Sequence, residues 1–473
     1  MLICSLLTAT VSAQSTPATS ITPREVGVQA IPAQETPDLE GPAQEIPDLE
    51  GDLEGDLEGI DVVPPAEDSE LNFLTSQISA GEASEALATL NQRVDQLEDE
   101  YHRYHPALFE PIMLRGDAYL ALEQVDQALN EYGRARHIAR VSHGLFDARQ
   151  IPALYREAEV LKRSGDLISA GKREEYAYEV ARRSHEDYDH ALLPPTIRLA
   201  DFYMDSGNPL AARTLLNRAQ LIHERHDTLN SDEAVSVLRA IAKSHRLERF
   251  PPVYIDRDDD AGSVYAAQLR TRDLEDQFEY VNSFPAGERA LQQVIAIQQE
   301  RYGEDSQQAL DAMLELADWH LMFGRVHVAH TLYQHIYLSV DGEQNTGAGD
   351  RMFAEPVLLH FPRPPNPKPP APTERGDAAE GSVALTFDVS RTGGVKKLKT
   401  VEVDGPKNMN FRVRRSMREA IFRPRLEAGS VVTAEQQSFR YYFPYFMQRE
   451  DLSADTEPVT AAALSGEETI DGE

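Results

Sequence analysis

Small and apolar positions recur through the middle of the chain with a fixed phase. Ala86, Ala128, Ala170 and Ala212 step by 42 residues. A small residue comes twelve places earlier in several copies: Gly116 before Ala128, Ala158 before Ala170, Ala200 before Ala212, and Ala317 before Ala329. Tyr119, Leu161 and Tyr203 lie three places after the small residue, and Gly165, Gly207 and Gly324 seven after it. Gly81 keeps that phase in a weaker first copy. Tyr132, Leu216 and Tyr333 follow the alanine by four, and Ala135, Ala177 and Ala219 by seven. Offsets of three, four and seven put side chains on one helix face. Small residues let two antiparallel helices approach, and a glycine closes the first of them. One such pair cannot bury its apolar face alone, so the pattern predicts helix pairs stacked into a solenoid. It covers residues 71–250 and resumes over 278–342, where Ala290, Val294 and Ile297 give a partial copy. Residues 251–277 break the phase, and Glu174 stands where an aromatic or leucine is usual.

After residue 380 the period changes to two. Gly381–Val389 alternates apolar and polar residues as a half-buried strand does. Ser390–Gly394 is a hairpin turn signal, and Val395–Val403 makes a second strand. Asn408–Phe422 fits a helix that offers Phe411, Met417, Ile421 and Phe422 to a core, with Arg423-Pro424 stopping it. Glu427–Ser430 is a turn, and Gln436–Phe446 reads as a final strand. The expected fold is therefore mainly α: an α-solenoid followed by a small α+β domain of order β-β-α-β, over residues 381–446. The proline-rich stretch within 355–380 predicts a stiff, extended linker between them.

Two resemblances follow from these residues. The helix-pair pattern resembles the tetratricopeptide repeat (TPR), in its longer form near 42 residues. The C-terminal elements resemble the TonB C-terminal domain: Gly393-Gly394 at the turn, Ala420–Pro424 at the helix end, Gly429, and a terminal aromatic strand. That second resemblance implies a periplasmic domain of Gram-negative bacteria whose last strand region pairs with an extended segment of an outer-membrane transporter. Strand addition of this kind draws affinity from main-chain hydrogen bonds and selectivity from side-chain pockets. TonB itself carries an uncleaved membrane helix coupled to an inner-membrane motor, whereas here a signal-like segment precedes the solenoid.

Charge sharpens the organisation. The chain carries a formal net charge of −33, which argues against nucleic acid as a partner. Residues 14–70 hold 15 acidic residues and one basic one, with PAQETPDLEG repeated as PAQEIPDLEG, and are expected to be disordered. Residues 382–446 carry a net +6, and the acidic tail 447–473 a net −7. Met1–Ala13 is apolar and ends in Val-Ser-Ala, the pattern of a cleaved signal peptide, so a periplasmic location is expected. It is too short for a bilayer span, which needs about 20 apolar residues. The single cysteine, Cys4, falls inside it, leaving no cysteine for zinc, disulfide or nucleophilic chemistry after cleavage.

No catalytic constellation emerges, and no enzyme, cofactor or metal is expected. The glycines at 165 and 171 are misplaced for a phosphate loop, and Arg173 replaces its Ser or Thr. His320, His327, His330 and His335 lack a His-Glu-x-x-His motif. Asp256, Asp258 and Asp260 begin a calcium loop that Ala267 fails to complete. The candidate sites are for protein partners. Asp117, Glu159, Asp201 and Asp318 each follow the small residue, and in the repeat family this place tends to line the groove. Such an acidic row suits a basic peptide or the chain's own basic module. Arg414 and Arg418 share a face of the C-terminal helix, beside Arg412 and Arg415. The resemblance to TonB marks Gln436, Ser438, Arg440 and Tyr442 as the docking strand. The expected function is a non-enzymatic periplasmic scaffold that binds envelope proteins through the groove and the strand. The alternative is a component of TonB-dependent energised transport that contacts a transporter.

Overall fold

The computed structural model describes residues 68–252, 283–340, 347–371 and 374–448. The expected signal segment, the acidic segment up to residue 67, residues 253–282 and the tail from residue 449 lie outside the described residues. Helices α1 (Asp68–Ser79), α2 (Ala83–Glu100), α3 (Phe109–Ala121), α4 (Val125–His143), α5 (Ile151–Arg163), α6 (Leu167–Ser184), α7 (Leu193–Asp205) and α8 (Pro209–Arg225) form four successive pairs. Helices α9 (Asp232–Arg249) and α10 (Ser283–Tyr302) form the next, and α11 (Gln307–Met322) with α12 (Val326–Val340) the last of six among the described residues. Each helix packs on the next in the chain, which builds the solenoid. The phase break therefore falls between two helices that still pair.

The recurring small residues sit at the closest approaches. Ala86, Ala128, Ala170, Ala212 and Ala329 are fully buried. Gly116 lies against the ring of Tyr132, so closely that a Cβ there would stand 2.5 Å from the ring. Gly81, Gly165, Gly207 and Gly324 turn the chain within their pairs with positive φ of 77–89°. In the second pair Glu123 takes the same left-handed place at φ 60°.

Between pairs, a second recurrence appears that the pattern did not announce. His105, Asp147 and Asp189 accept hydrogen bonds from the backbone N–H two residues on, opening a short 3₁₀ turn before α3, α5 and α7. The preceding aromatic residues, Tyr104, Phe146 and Tyr188, have their carbonyls held from the end of the second helix of the following pair. Ser142 donates at 3.2 Å, Ser184 at 3.0 Å and His226 Nε2 at 2.9 Å. These bonds fix how one pair leans on the next. Glu174, the misfit of the pattern, is buried and held by Arg198 at 2.9 Å.

The C-terminal region is a small sheet module. Strands β2 (Arg375–Val389), β3 (Val395–Asp404) and β7 (Ala434–Gln448) form an antiparallel sheet of order β3-β2-β7. Val383, Leu385, Phe387 and Val389 face Met409, Val413 and Met417 of helix α14 (Asn408–Arg418), and Phe422 and Phe443 join this core. Helix α14 is shorter than expected. Ile421–Arg423 leaves it to become strand β4, which pairs with β1 (Val357–His360), and Phe422 N–H donates to the Gly393 carbonyl. Phe411, expected in the core, is 65% exposed. Leu426–Glu427 (β5) and Ser430–Val431 (β6) form a tight hairpin through Ala428 and Gly429, both at positive φ.

The proline-rich stretch is extended, as its composition requires, but it does not hang free. Its first residues are β1. Phe361 then packs on Phe439 and Tyr441, Pro362 and Pro364 are buried, and Arg412 grips the carbonyls of Pro365 and Asn366 at 3.1 and 3.0 Å. A short helix, α13 (Ala348–Met352), links the solenoid to this stretch. Leu359, Leu426 and Val431 join Met313, Leu321, Tyr333, Ile336, Tyr337 and Phe353 in one apolar cluster. The module is thus seated on the last helix pair, because proline fixes the stretch's conformation while its apolar residues still seek burial.

Candidate functional site

The final strand is the feature most able to engage another chain. Among the described residues β7 pairs only with β2, so its other edge carries no strand. Pro444 lies inside this ladder, opposite Glu380. Proline has no N–H, so it fits there only if its nitrogen faces away from β2. In an antiparallel pair the backbone groups of alternate residues point the same way. Ser438, Arg440 and Tyr442 therefore present their N–H and C=O groups at the open edge, and the row of donors is interrupted at Pro444.

The start of the strand is shaped by Asp388. This buried carboxylate accepts the Gln436 N–H at 2.9 Å and the Lys397 ammonium at 2.8 Å. Both residues sit at positive φ, 54° and 48°, in bulges opposite β2. These two bonds hold the Asp388 carboxyl below the usual carboxylate range. Gln436 is thus a bulge residue, and the regular open edge begins after it. Side chains alternate about the strand. Phe439, Tyr441, Phe443 and Tyr445 face the core, while Ser438, Arg440 and Tyr442 lie on the other face. There Arg440 crosses the central strand to Ser382 at 3.0 Å and Glu402 at 2.6 Å, and Tyr442 is 58% exposed.

The acidic row is placed on the first helices of the pairs, and each member has nearby cations. Asp117 accepts a hydrogen bond from Tyr132 at 2.7 Å and meets Arg156 of α5 at 3.2 Å. Glu159 pairs with Arg163 on its own helix. Asp201 is exposed, but desolvation raises its carboxyl above the ordinary value while Lys243 and Lys162 pull the other way. Asp318 accepts from Tyr333 at 2.8 Å and takes both Nε and Nη2 of Arg423, at 2.9 and 2.6 Å. Around these run Lys162–Asp205 at 2.8 Å and Arg239–Glu315 at 3.0 Å, so this face alternates in charge along the stack.

Of the helix arginines, Arg414 is turned to Thr400 at 3.0 Å and Arg412 to the proline-rich stretch, leaving Arg418 exposed. His330 Nε2 donates to the Arg391 carbonyl at 2.9 Å, and His320 lies 3.3 Å from Glu288. The aspartates at 256, 258 and 260 lie outside the described residues. Local sequence patterns do not reveal the roles of Arg423 and Asp388. In the sequence Arg423 is part of a helix stop, and no local periodicity links it to Asp318. The tyrosine fifteen residues after each of Asp117 and Asp318 was the available signal.

TPR-like repeats of a kinesin light chain from Podosopora anserina share 16% identity over 50% of this chain and 96% of that one, with a TM-score of 0.37. BtubC (BKLC) from P. vanneervenii shares 15% over 63% and 96%, at a TM-score of 0.36. The apo form of RapI shares 14% over 60% and 95%, at 0.31. No protein-family model and no curated protein matches the chain. The class its own geometry defines is a mainly helical solenoid of stacked pairs, closed at one end by a small sheet module. Among the described residues, no helix is long and apolar enough to cross a membrane.

Proposed function

We propose that this chain is a non-enzymatic scaffold of the bacterial periplasm that holds a protein partner by strand addition to β7. The observation that carries the reading is the open edge from Ser438 to Tyr442, bounded by a bulge on one side and a proline on the other. An added strand satisfies the backbone groups of this edge and gains side-chain contacts on both faces. The signal-like segment supports the periplasm as the compartment. The repeat face offers a second surface, where an incoming chain meets alternating charges. The sheet order, with the last strand outermost, also favours the narrower reading that the partner is a transporter of the outer membrane. It agrees with what the resemblance to the TonB C-terminal domain implies.

A photo-crosslinking residue in place of Tyr442 in the full chain tests this in envelope extracts. The expected result is a discrete cross-linked protein that disappears when Ser438→Pro or Arg440→Pro removes one outward N–H. Neither change touches the backbone ladder between β7 and β2, and Ser438→Pro, which also spares the Arg440 side-chain bonds to Ser382 and Glu402, should leave near-UV circular dichroism as in the parent. Cross-linking that survives both prolines would exclude strand addition. Mass analysis of the cross-linked protein, identifying a transporter or another envelope protein, separates the two readings.

A further inference from the structure

Two joints in the molecule share one chemistry, although one lies inside the solenoid and the other at its end. At the first, Asp117 accepts from Tyr132 at 2.7 Å and meets Arg156, which lies 39 residues further on in the next pair. At the second, Asp318 accepts from Tyr333 at 2.8 Å and takes the Arg423 guanidinium through two bonds of 2.9 and 2.6 Å. Counting 39 residues from Asp318 arrives at Val357, the first residue of β1. Val357 is the register partner of Arg423 in β4. We infer that the C-terminal module stands in for a seventh helix pair, with β1 and β4 occupying the place of its first helix, and that it is the cap that seals the solenoid.

A stack of helix pairs leaves the apolar face of its last pair uncovered unless a cap covers it. Here that face includes Met313, Leu321, Tyr333, Ile336 and Tyr337, and the module brings Leu359, Leu426 and Val431 against it. Polar bonds set the register. Leu426 N–H donates to the Phe353 carbonyl at 3.1 Å, and Ala428 N–H to the Asp350 carboxylate at 3.2 Å, which also accepts from Tyr337 at 2.8 Å. Asp318 and Arg423 are only 17% and 14% exposed, so removing either leaves the other's charge largely shielded from water and without its two-bond partner. Burial disfavours the Arg423 charge, yet Asp318 and Tyr333 hold the guanidinium above its ordinary value. The cap thus consumes the last acid of the row, and it fixes β7 relative to the repeats.

The full chain contains its own reporter. Trp319 is the sole tryptophan, is buried, and adjoins Asp318. Urea unfolding followed by its emission should coincide with loss of hydrogen-exchange protection in β2 and β7. Arg423→Gln and Asp318→Asn should each lower the folding constant seen by both probes about 100-fold or more. The double variant should lose less than the two singles combined, and Arg423→Lys should recover part of the loss. If a single variant fails to fold, the milder Arg423→Lys still has to shift both probes together. The inference fails if the probes unfold separately in the parent, or if Arg423→Gln leaves the Trp319 transition in place. It also fails if sedimentation shows a dimer that Arg423→Gln dissociates, since the cap would then come from a second copy. These readouts concern stability alone and stand whether or not β7 binds a partner.

Discussion

Gly116→Ala separates helix propensity from packing. Gly116 lies within α3, where alanine in place of glycine is worth about 1 kcal/mol in favour of the helix. Packing opposes it. The new Cβ would meet three ring atoms of Tyr132 at 2.5, 2.9 and 3.0 Å. The ring has nowhere to go, because Tyr132 is fully buried and its hydroxyl is tied to Asp117. Overpacking costs about 1–3 kcal/mol, and a pinned aromatic ring puts this case near the top of that range. The net expectation is a loss of about 1–2 kcal/mol. With a urea dependence of roughly 2–3 kcal/mol per molar, the midpoint falls by about 0.5 M. Circular dichroism at helical wavelengths reads it, with Gly116→Ala/Tyr132→Leu as the control that returns most of the loss. A midpoint that rises in Gly116→Ala would mean that propensity governs and the tight approach does not.

Other predictions rest on single residues. Glu123→Gly should stabilise the chain by about 0.5–1 kcal/mol, since a left-handed non-glycine residue is strained and the other copies use glycine there; an unchanged or lower melting temperature would contradict it. His360 sits at the seam between solenoid and module, 5.4 Å from the Phe250 ring, and burial together with nearby Arg246 pushes its pKa down to about 4. The unfolded chain takes up this proton below its ordinary value, while the folded chain resists until about pH 4, so stability falls with pH across that window and no further beneath it. Partial exposure of the ring limits the effect to about 1–2 kcal/mol. His360→Asn should flatten urea midpoints measured between about pH 7 and pH 4, and an unchanged slope would remove His360 as the cause. His245, pushed down to about 4 chiefly by burial, acts in the same direction and should add to it.

How legible each part was depends on the range of the interactions that decide it. The helix pairs were readable because each is made by neighbours three, four, seven and twelve residues apart, and the glycine turns by single residues. The strand alternation of β2 was equally local, and so was the hairpin through Ala428 and Gly429. The end of α14 departs from the local pattern because Ile421–Arg423 has apolar residues that suit a helix face, and only pairing with β1 draws them into a strand. The edge character of the last strand was expected from the resemblance alone. Its outward donors could be assigned only once Pro444 was seen opposite Glu380.

By itself the sequence determined the repeat length, the pairing of helices and the separate sheet module, because short-range periodicity dictates which faces must be buried. Tertiary structure alone decided that the proline-rich stretch packs instead of hanging free, and that Asp318 is met by Arg423 from 105 residues away. The physical reason is that a charge pair or an apolar seam leaves no periodic trace in the chain. Its two halves are selected by a surface that exists only after both parts have folded.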